Sequence, residues 1–291
     1  MNKKLSINTD FISDRGYPFG VFRQIAEAGF THIHWGHQWN TDFIYTDSEI
    51  AEIKKQLKMF NLSLSDTHAS SGIEKCWYSP VEYERISGVE LIKNRIYMTA
   101  VLGGDAVVLH PFVVYDKDSI PEYRKQGLKS LGEIESFARS CGVRIALENL
   151  FQADGSGIKD TGLTNIDTLE YYFEIFSSDY LGFCWDIGHS IILGEKSFER
   201  CEKLAKERLA VMHLNDNKGD FDQHSAPFSW YGRWEWIAQV IASSPYPDYK
   251  PVLVEVDVNR NLSSSITEFL KVNIDAALKF SMLIEKYKKM L

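Results

Sequence analysis

The stretch Arg144-Ile145-Ala146-Leu147-Glu148-Asn149 runs from an apolar segment straight into a carboxylate and an amide. Three stretches downstream repeat the pattern. They are Gly182-Phe183-Cys184-Trp185-Asp186-Ile187-Gly188-His189, Leu209-Ala210-Val211-Met212-His213-Leu214-Asn215-Asp216-Asn217 and Val252-Leu253-Val254-Glu255. Each apolar run reads as a buried strand, and each ends on an ionisable side chain. Burying a carboxylate costs several kcal/mol unless it is paired or metal-bound. Strand ends that carry such groups in succession therefore mark a common site.

Working outward, eight short β-rich runs alternate with longer helical patterns. The predicted strands are Leu5–Asn8, Thr31–Trp35, Leu62–Thr67, Ala106–His110, Arg144–Glu148, Gly182–Asp186, Ala210–Leu214 and Val252–Val256. The predicted helices are Phe19–Ala28, Ser48–Phe60 after an Asp47 cap, Val81–Leu102, Pro121–Cys141, Asn165–Phe176, Phe198–Glu207, Trp234–Ala242 and Ser264–Lys289. Apolar residues recur at helical spacing, as in Leu128, Leu131, Ile134 and Phe137, and glycines close several helices. Strand–helix alternation of this kind means βαβ units and a parallel sheet. Eight units fit an α/β chain folded as a single (β/α)8 TIM barrel, which takes roughly 250 residues. One domain over residues 1–291 is expected, since no Pro/Gly/Ser-rich linker divides the chain. No G-x-G-x-x-G follows the first strand, which leaves the dinucleotide-binding alternative little support. Gln152–Asn165 and Asn215–Gly232 read as long loops, and long loops on such a barrel are usually functional.

The 291 residues carry 32 Lys+Arg against 40 Asp+Glu, a formal net charge of -8. That balance argues against a nucleic-acid track and for a small-molecule partner. The four cysteines, Cys76, Cys141, Cys184 and Cys201, have no C-x-x-C spacing and read as reduced thiols. No apolar run approaches the ~18 residues of a membrane span. No signal sequence is read at the start, so a cytoplasmic protein is expected.

In a (β/α)8 barrel the C-terminal strand ends converge on one mouth. Six successive ends here carry His, Glu or Asp: His68, His110, Glu148, Asp186 with His189, His213 and Glu255. His32, His34 and His37 cluster at strand two and read either as part of that mouth or as a polar rim. Glu148, Asp186, His213 and Glu255 offer three carboxylates and one imidazole, a donor mix suited to Mn²⁺, Zn²⁺, Co²⁺ or Mg²⁺. Two glutamates at a metal also suit proton transfer. One removes a proton α to a carbonyl and the other returns it, while the metal stabilises the enediolate.

These strand ends resemble the xylose-isomerase-like TIM barrel superfamily, shared by sugar phosphate isomerases/epimerases and the endonuclease IV type of repair enzyme. The specific pieces are Glu148-Asn149, Asp186-Ile187-Gly188-His189, His213-Leu214-Asn215-Asp216-Asn217, Asp222-Gln223-His224 and Glu255. The resemblance implies a divalent metal held by Glu148, Asp186, His213 and Glu255, with Glu148 and Glu255 as the acid/base pair. His68, His110, His189, Asp222 and His224 then bind substrate or additional metal. The substrate implied is a sugar or sugar phosphate, with the oligomeric state open and a homodimer among the options.

Two alternatives belong beside this. The nuclease branch uses nine ligands for three zinc ions, and all nine counterparts exist here; it cleaves at abasic DNA. However, the Asp186-Ile187-Gly188-His189 run is similar to the isomerase branch, and the loop Ser225–Gly232 departs from both. The second alternative is a non-catalytic sugar-binding barrel, with Trp230, Trp234 and Trp236 as stacking platforms. Among smaller signals, Asp66 is expected to support His68 or cap a helix. Glu195 is expected to be solvated, and the Lys286–Lys289 tail to complement a helix dipole.

Overall fold

The β-branched and aliphatic runs form eight parallel strands around a common axis. They are β1 (Leu5–Asn8), β2 (His32–Trp35), β3 (Ser63–His68), β4 (Ala106–Leu109), β5 (Arg144–Glu148), β8 (Leu181–Asp186), β9 (Leu209–His213) and β10 (Val252–Val254). The labels β6 and β7 belong to a two-residue antiparallel ladder, Ala153–Asp154 with Gly157–Ile158. The computed structural model describes residues 3–12, 18–70, 76–111, 117–151, 153–154, 157–158, 163–258 and 265–291. The strand order is β10-β1-β2-β3-β4-β5-β8-β9. Closure between β9 and β10 runs through the parallel Leu214–Val254 bridge, with Leu214 N–H donating to Leu253 O at 3.2 Å. The result is a (β/α)8 barrel, as the alternation predicts.

Nine helices lie among the described residues: α1 (Phe19–Ala28), α2 (Asp47–Met59), α3 (Glu82–Leu102), α4 (Ile120–Cys141), α5 (Leu163–Ile175), α6 (Ile187–Leu193), α7 (Glu195–Arg208), α8 (Trp234–Ala242) and α9 (Ile266–Lys288). Four of the long helices start or stop where local chemistry dictates. Thr46, not Asp47, caps α2, in a capping box with Glu49. Gly29, Gly103 and Gly142 close α1, α3 and α4 in left-handed conformations. The short helix α6 is not expected from periodicity. It exists because the Asp186 side chain accepts from His189 N–H as an N-cap. The predicted loop at Gln152–Asn165 falls largely outside the described residues, and α5 already begins at Leu163.

Two apolar clusters hold the molecule. The larger lies between strands and helices, with Ile145, Leu147, Phe183, Trp185 and Met212 facing out of the barrel. The smaller, Ala106, Val108, Ala146, Cys184, Ala210, Val211 and Leu253, comes from the opposite faces of the strands. Its small side chains leave room above for polar groups at the strand ends. No helix among the described residues is long and apolar enough to cross a membrane.

Candidate active site

Glu148 ends β5, Asp186 ends β8, His213 ends β9, and Glu255 follows β10 directly. A register shift at Phe183/Cys184 brings Asp186 opposite His213 across the β8–β9 ladder. Glu255 is pinned beside β9 because its N–H donates to Leu214 O at 3.1 Å. His213 Nδ1 lies 3.3 Å from Glu148 Oε1, 3.0 Å from Glu255 Oε2 and 3.9 Å from Asp186 Oδ2. One donor atom from each of the four lies within 4.8 Å of all the others.

The Asp-Ile-Gly-His run is built around Asp186. Asn149 donates to Asp186 O at 2.9 Å and accepts from Asp186 N–H at 2.8 Å, clamping β5 to β8. Asn215 Nδ2 donates to Asp186 Oδ2 at 2.8 Å. Gly188 is required by close approach: a Cβ there would lie 1.7 Å from Asn215 Oδ1. Asn217 Nδ2 then donates to Gly188 O, tying the loop after β9 to α6.

The remaining predicted residues gather on both sides. His110 Nε2 lies 3.1 Å and His68 Nε2 3.6 Å from Glu148 Oε2. His189 Nδ1 is 2.8 Å from Asn149 O, and its Nε2 is 3.9 Å from Asp222 Oδ2, which also meets His224 Nε2 at 2.7 Å. Two further metal-compatible groups result, His68–His110–Glu148 and His189–Asp222–His224. All nine predicted site residues thus come together.

Burial and the neighbouring charges act on these groups in opposite directions. Burial raises the Glu148 carboxyl, but His213 and His110 outweigh it and hold it well below the usual range. Burial likewise opposes Glu255, which His213 and His224 hold low. Asp186 goes the other way: burial, with Glu148, Glu255 and Asp222 nearby, pushes it up to about 7 despite His189. His224 rises to about 9 because the facing Asp222 carboxylate overrides burial.

Several expectations are corrected. Asp66 neither supports His68 nor caps a helix; it bonds His34 Nδ1 at 2.6 Å and Lys250 Nζ at 3.2 Å. His34 and His37 are buried, so a polar rim fits only the half-buried His32. Trp234 is buried on Phe280 and donates to Asp216, and Trp236 packs on Trp185 and Phe198. Trp230 is 57% exposed beneath Lys218. None of the three lines the central cavity. The unusual loop is instead folded onto Asp216, whose carboxylate accepts from the backbone N–H groups of Trp230 and Tyr231. Two smaller expectations hold: Glu195, at the start of α7, is exposed while pairing with Arg233, and Lys286 and Lys288 lie in the last turn of α9, Lys288 also pairing with Asp248.

The cavity above Glu148 and Glu255 measures about 570 Å³. His68, His110, His189, Asp222 and His224 line it, as does Trp39, whose ring sits 4.4 Å from that of His68. Phe151, 5.0 Å from the His189 ring, faces the same space, with Asn8 and Asp10 on the β1 side. Sequence reasoning missed these four. The signal available was position, since Asn8 ends β1 and Asp10, Trp39 and Phe151 follow strands one, two and five.

The donor set fits a divalent ion. The buried Glu148 and Asp186 carboxyl groups and the partly buried Glu255 share one space with imidazole nitrogens. His213 Nε2 is buried without a hydrogen-bond partner. Oxygen and nitrogen donors in this ratio suit first-row divalent metals and Mg²⁺.

The chain is 28% identical over 287 residues to the "Uncharacterized protein y4fM" of Sinorhizobium fredii, with 89% of this chain and 88% of that one covered. It is 25% identical over 208 residues to a "Probable endonuclease 4" of Oceanobacillus iheyensis, covering 64% of this chain and 66% of that one. Among solved structures it resembles D-psicose 3-epimerase in the presence of D-fructose, with TM-score 0.76, 16% identity and coverage of 97% and 99%. It also resembles the IOLI protein with a binding zinc atom, with TM-score 0.71, 16% identity and coverage of 98% and 99%. At these identities the structural likenesses concern the fold. Residues 22–271 match the model of the xylose isomerase-like TIM barrel, and the chain belongs to that family.

Proposed function

We propose that the protein is a metal-dependent isomerase or epimerase of a sugar or sugar phosphate, acting by proton transfer through an enediolate. The observation that carries this reading is the pair Glu148 and Glu255. Both sit within 3.3 Å of His213 Nδ1 and both line the cavity. Glu148, Asp186, His213 and Glu255 would hold the divalent ion. When bound, it supplies Lewis-acid stabilisation of negative charge on the substrate oxygens.

The chain's own groups do the rest. The neighbouring imidazoles keep both glutamates ionised at neutral pH, so either is ready to accept a proton α to a carbonyl. Once protonated by the substrate, a glutamate returns the proton at the neighbouring carbon or the opposite face. His68, His110 and His189 present ring nitrogens for sugar hydroxyls, while Trp39 and Phe151 supply apolar faces for carbon–hydrogen surfaces.

The test is deuterium exchange at C2 or C3 of ketoses and ketose phosphates in the metal-loaded enzyme. Exchange is expected, and Glu148→Gln or Glu255→Gln should each reduce turnover by roughly 10²-fold or more. No exchange with any ketose overturns the reading. A binding barrel without catalysis predicts sugar affinity retained in both variants and no turnover in the parent.

The three adjoining donor groups favour a second reading, a trinuclear-zinc phosphodiesterase at abasic DNA, and a relative carries the name endonuclease 4. The net charge of -8 weighs against a DNA track. Three zinc ions per chain together with cleavage of an abasic-site oligonucleotide would support it, and a single bound ion would exclude it.

A further inference from the structure

His34 lies on β2, on a strand that contributes none of the nine residues above. A register irregularity between Ile33 and His34 displaces the strand at this point. Such a bulge re-aims a side chain. The His34 side chain is fully buried. Its Nδ1 meets Asp66 Oδ1 at 2.6 Å, and Asp66 Oδ2 meets the Nζ of buried Lys250 at 3.2 Å. Lys250 holds Asp66 as a carboxylate, an acceptor with no proton to give. The His34 Nδ1 therefore carries the hydrogen of that bond, and in the neutral imidazole, the form that binds a metal, Nε2 presents its lone pair.

That lone pair has no hydrogen-bond partner and no access to water. A buried acceptor left bare is costly, so its persistence calls for an occupant. The His34 ring stands edge-on to His213, with centroids 5.0 Å apart and planes at 73°. A His34 ring nitrogen, a His213 nitrogen and a Glu255 oxygen all lie within 4.8 Å of one another, the same spacing that groups Glu148, Asp186, His213 and Glu255. A carboxylate that fixes the far nitrogen of an imidazole is the usual support of a metal-binding histidine.

We propose that His34 is a further ligand of the metal centre, entering from β2 beside His213 and Glu255, with Asp66 and Lys250 holding it in the metal-binding tautomer. The inference rests on the metal-centre reading above. One equivalent of Co²⁺ tests it, through its visible absorption and its affinity against a competing chelator. His34→Gln should lower affinity at least 10–100-fold and change the Co²⁺ absorption, because a donor is replaced. Asp66→Asn should lower affinity 10–100-fold and carries the test if the first variant does not fold. Unchanged affinity in the folded variants overturns the proposal. So does lost affinity with an unchanged spectrum in His34→Gln, which would mean that His34 acts only through its neighbours. Glu148→Gln separates the two readings. If Co²⁺ affinity is unchanged there, the centre itself is misplaced; if it falls there while His34→Gln is silent, only the role of His34 fails.

Discussion

Gly188 concentrates the local constraint of the site in one residue. It is the second residue of α6, and a methyl group would overlap the oxygen of Asn215, whose amide nitrogen orients Asp186. Gly188→Ala must therefore push Asn215 aside or shift α6. Overpacking of this kind costs about 1–3 kcal/mol, measurable by denaturant unfolding. Losing the support of a ligating carboxylate should also weaken metal binding 10–100-fold, measurable by chelator competition. A variant with parental metal affinity would show that Asn215 does not orient Asp186. The functional character of Asp186, His189 and Gly188 was legible in the sequence as one short run. The partners that explain it were not, because Asn149, Asn215 and Asn217 come from two other strand ends and meet it only in the fold.

At the scale of elements, the loop after β9 shows how a family departure can be structural. Its aromatic residues do not face the cavity; the Asp216 carboxylate gathers Trp230 N–H, Tyr231 N–H and the indole N–H of Trp234. Asp216→Ala leaves donors without an acceptor, and Trp234 is buried. The expected cost is roughly 1–3 kcal/mol in unfolding free energy, with little change in metal affinity. The buried pair of β3 and the residue leading into β10 makes a sharper prediction. Lys250→Met strands Asp66 as an uncompensated charge, since Lys250 and His34 are what hold its carboxyl low against burial. Removing one partner of such a pair costs about 3–5 kcal/mol, readable as a shift in the denaturation midpoint. Element positions were largely legible, because apolar runs and glycine stops are local signals. Helix α6 was not, because it rests on one aspartate cap rather than on periodicity.

For the whole molecule, the barrel buries Asp186 beside Glu148 and Glu255 of two other strand ends and Asp222 of a loop, which favours its protonated form. Asp186 titrates near 7 in the fold against 3.8 for an ordinary aspartate. The metal-free fold thus retains a proton that the unfolded chain releases. The contribution of this group to stability is fully present below pH 3.8 and is lost as pH rises through about 7. Metal binding displaces this proton and the one that the surrounding carboxylates hold on His213, so affinity should climb by at least about tenfold per pH unit below 7 and go on rising above it. Chelator competition between pH 5 and pH 8 checks this, and a flat profile would contradict it. The sequence by itself determined the eightfold alternation and the nine ionisable residues at the strand ends and in the loops after them, because hydrophobic period and chain position are local properties. Only the tertiary structure decided that Asp66 turns to His34 and Lys250, that Trp39 and Phe151 face the cavity, and that Trp234 does not. Those facts depend on strand register and barrel closure, which set the direction of each side chain and join residues more than a hundred positions apart.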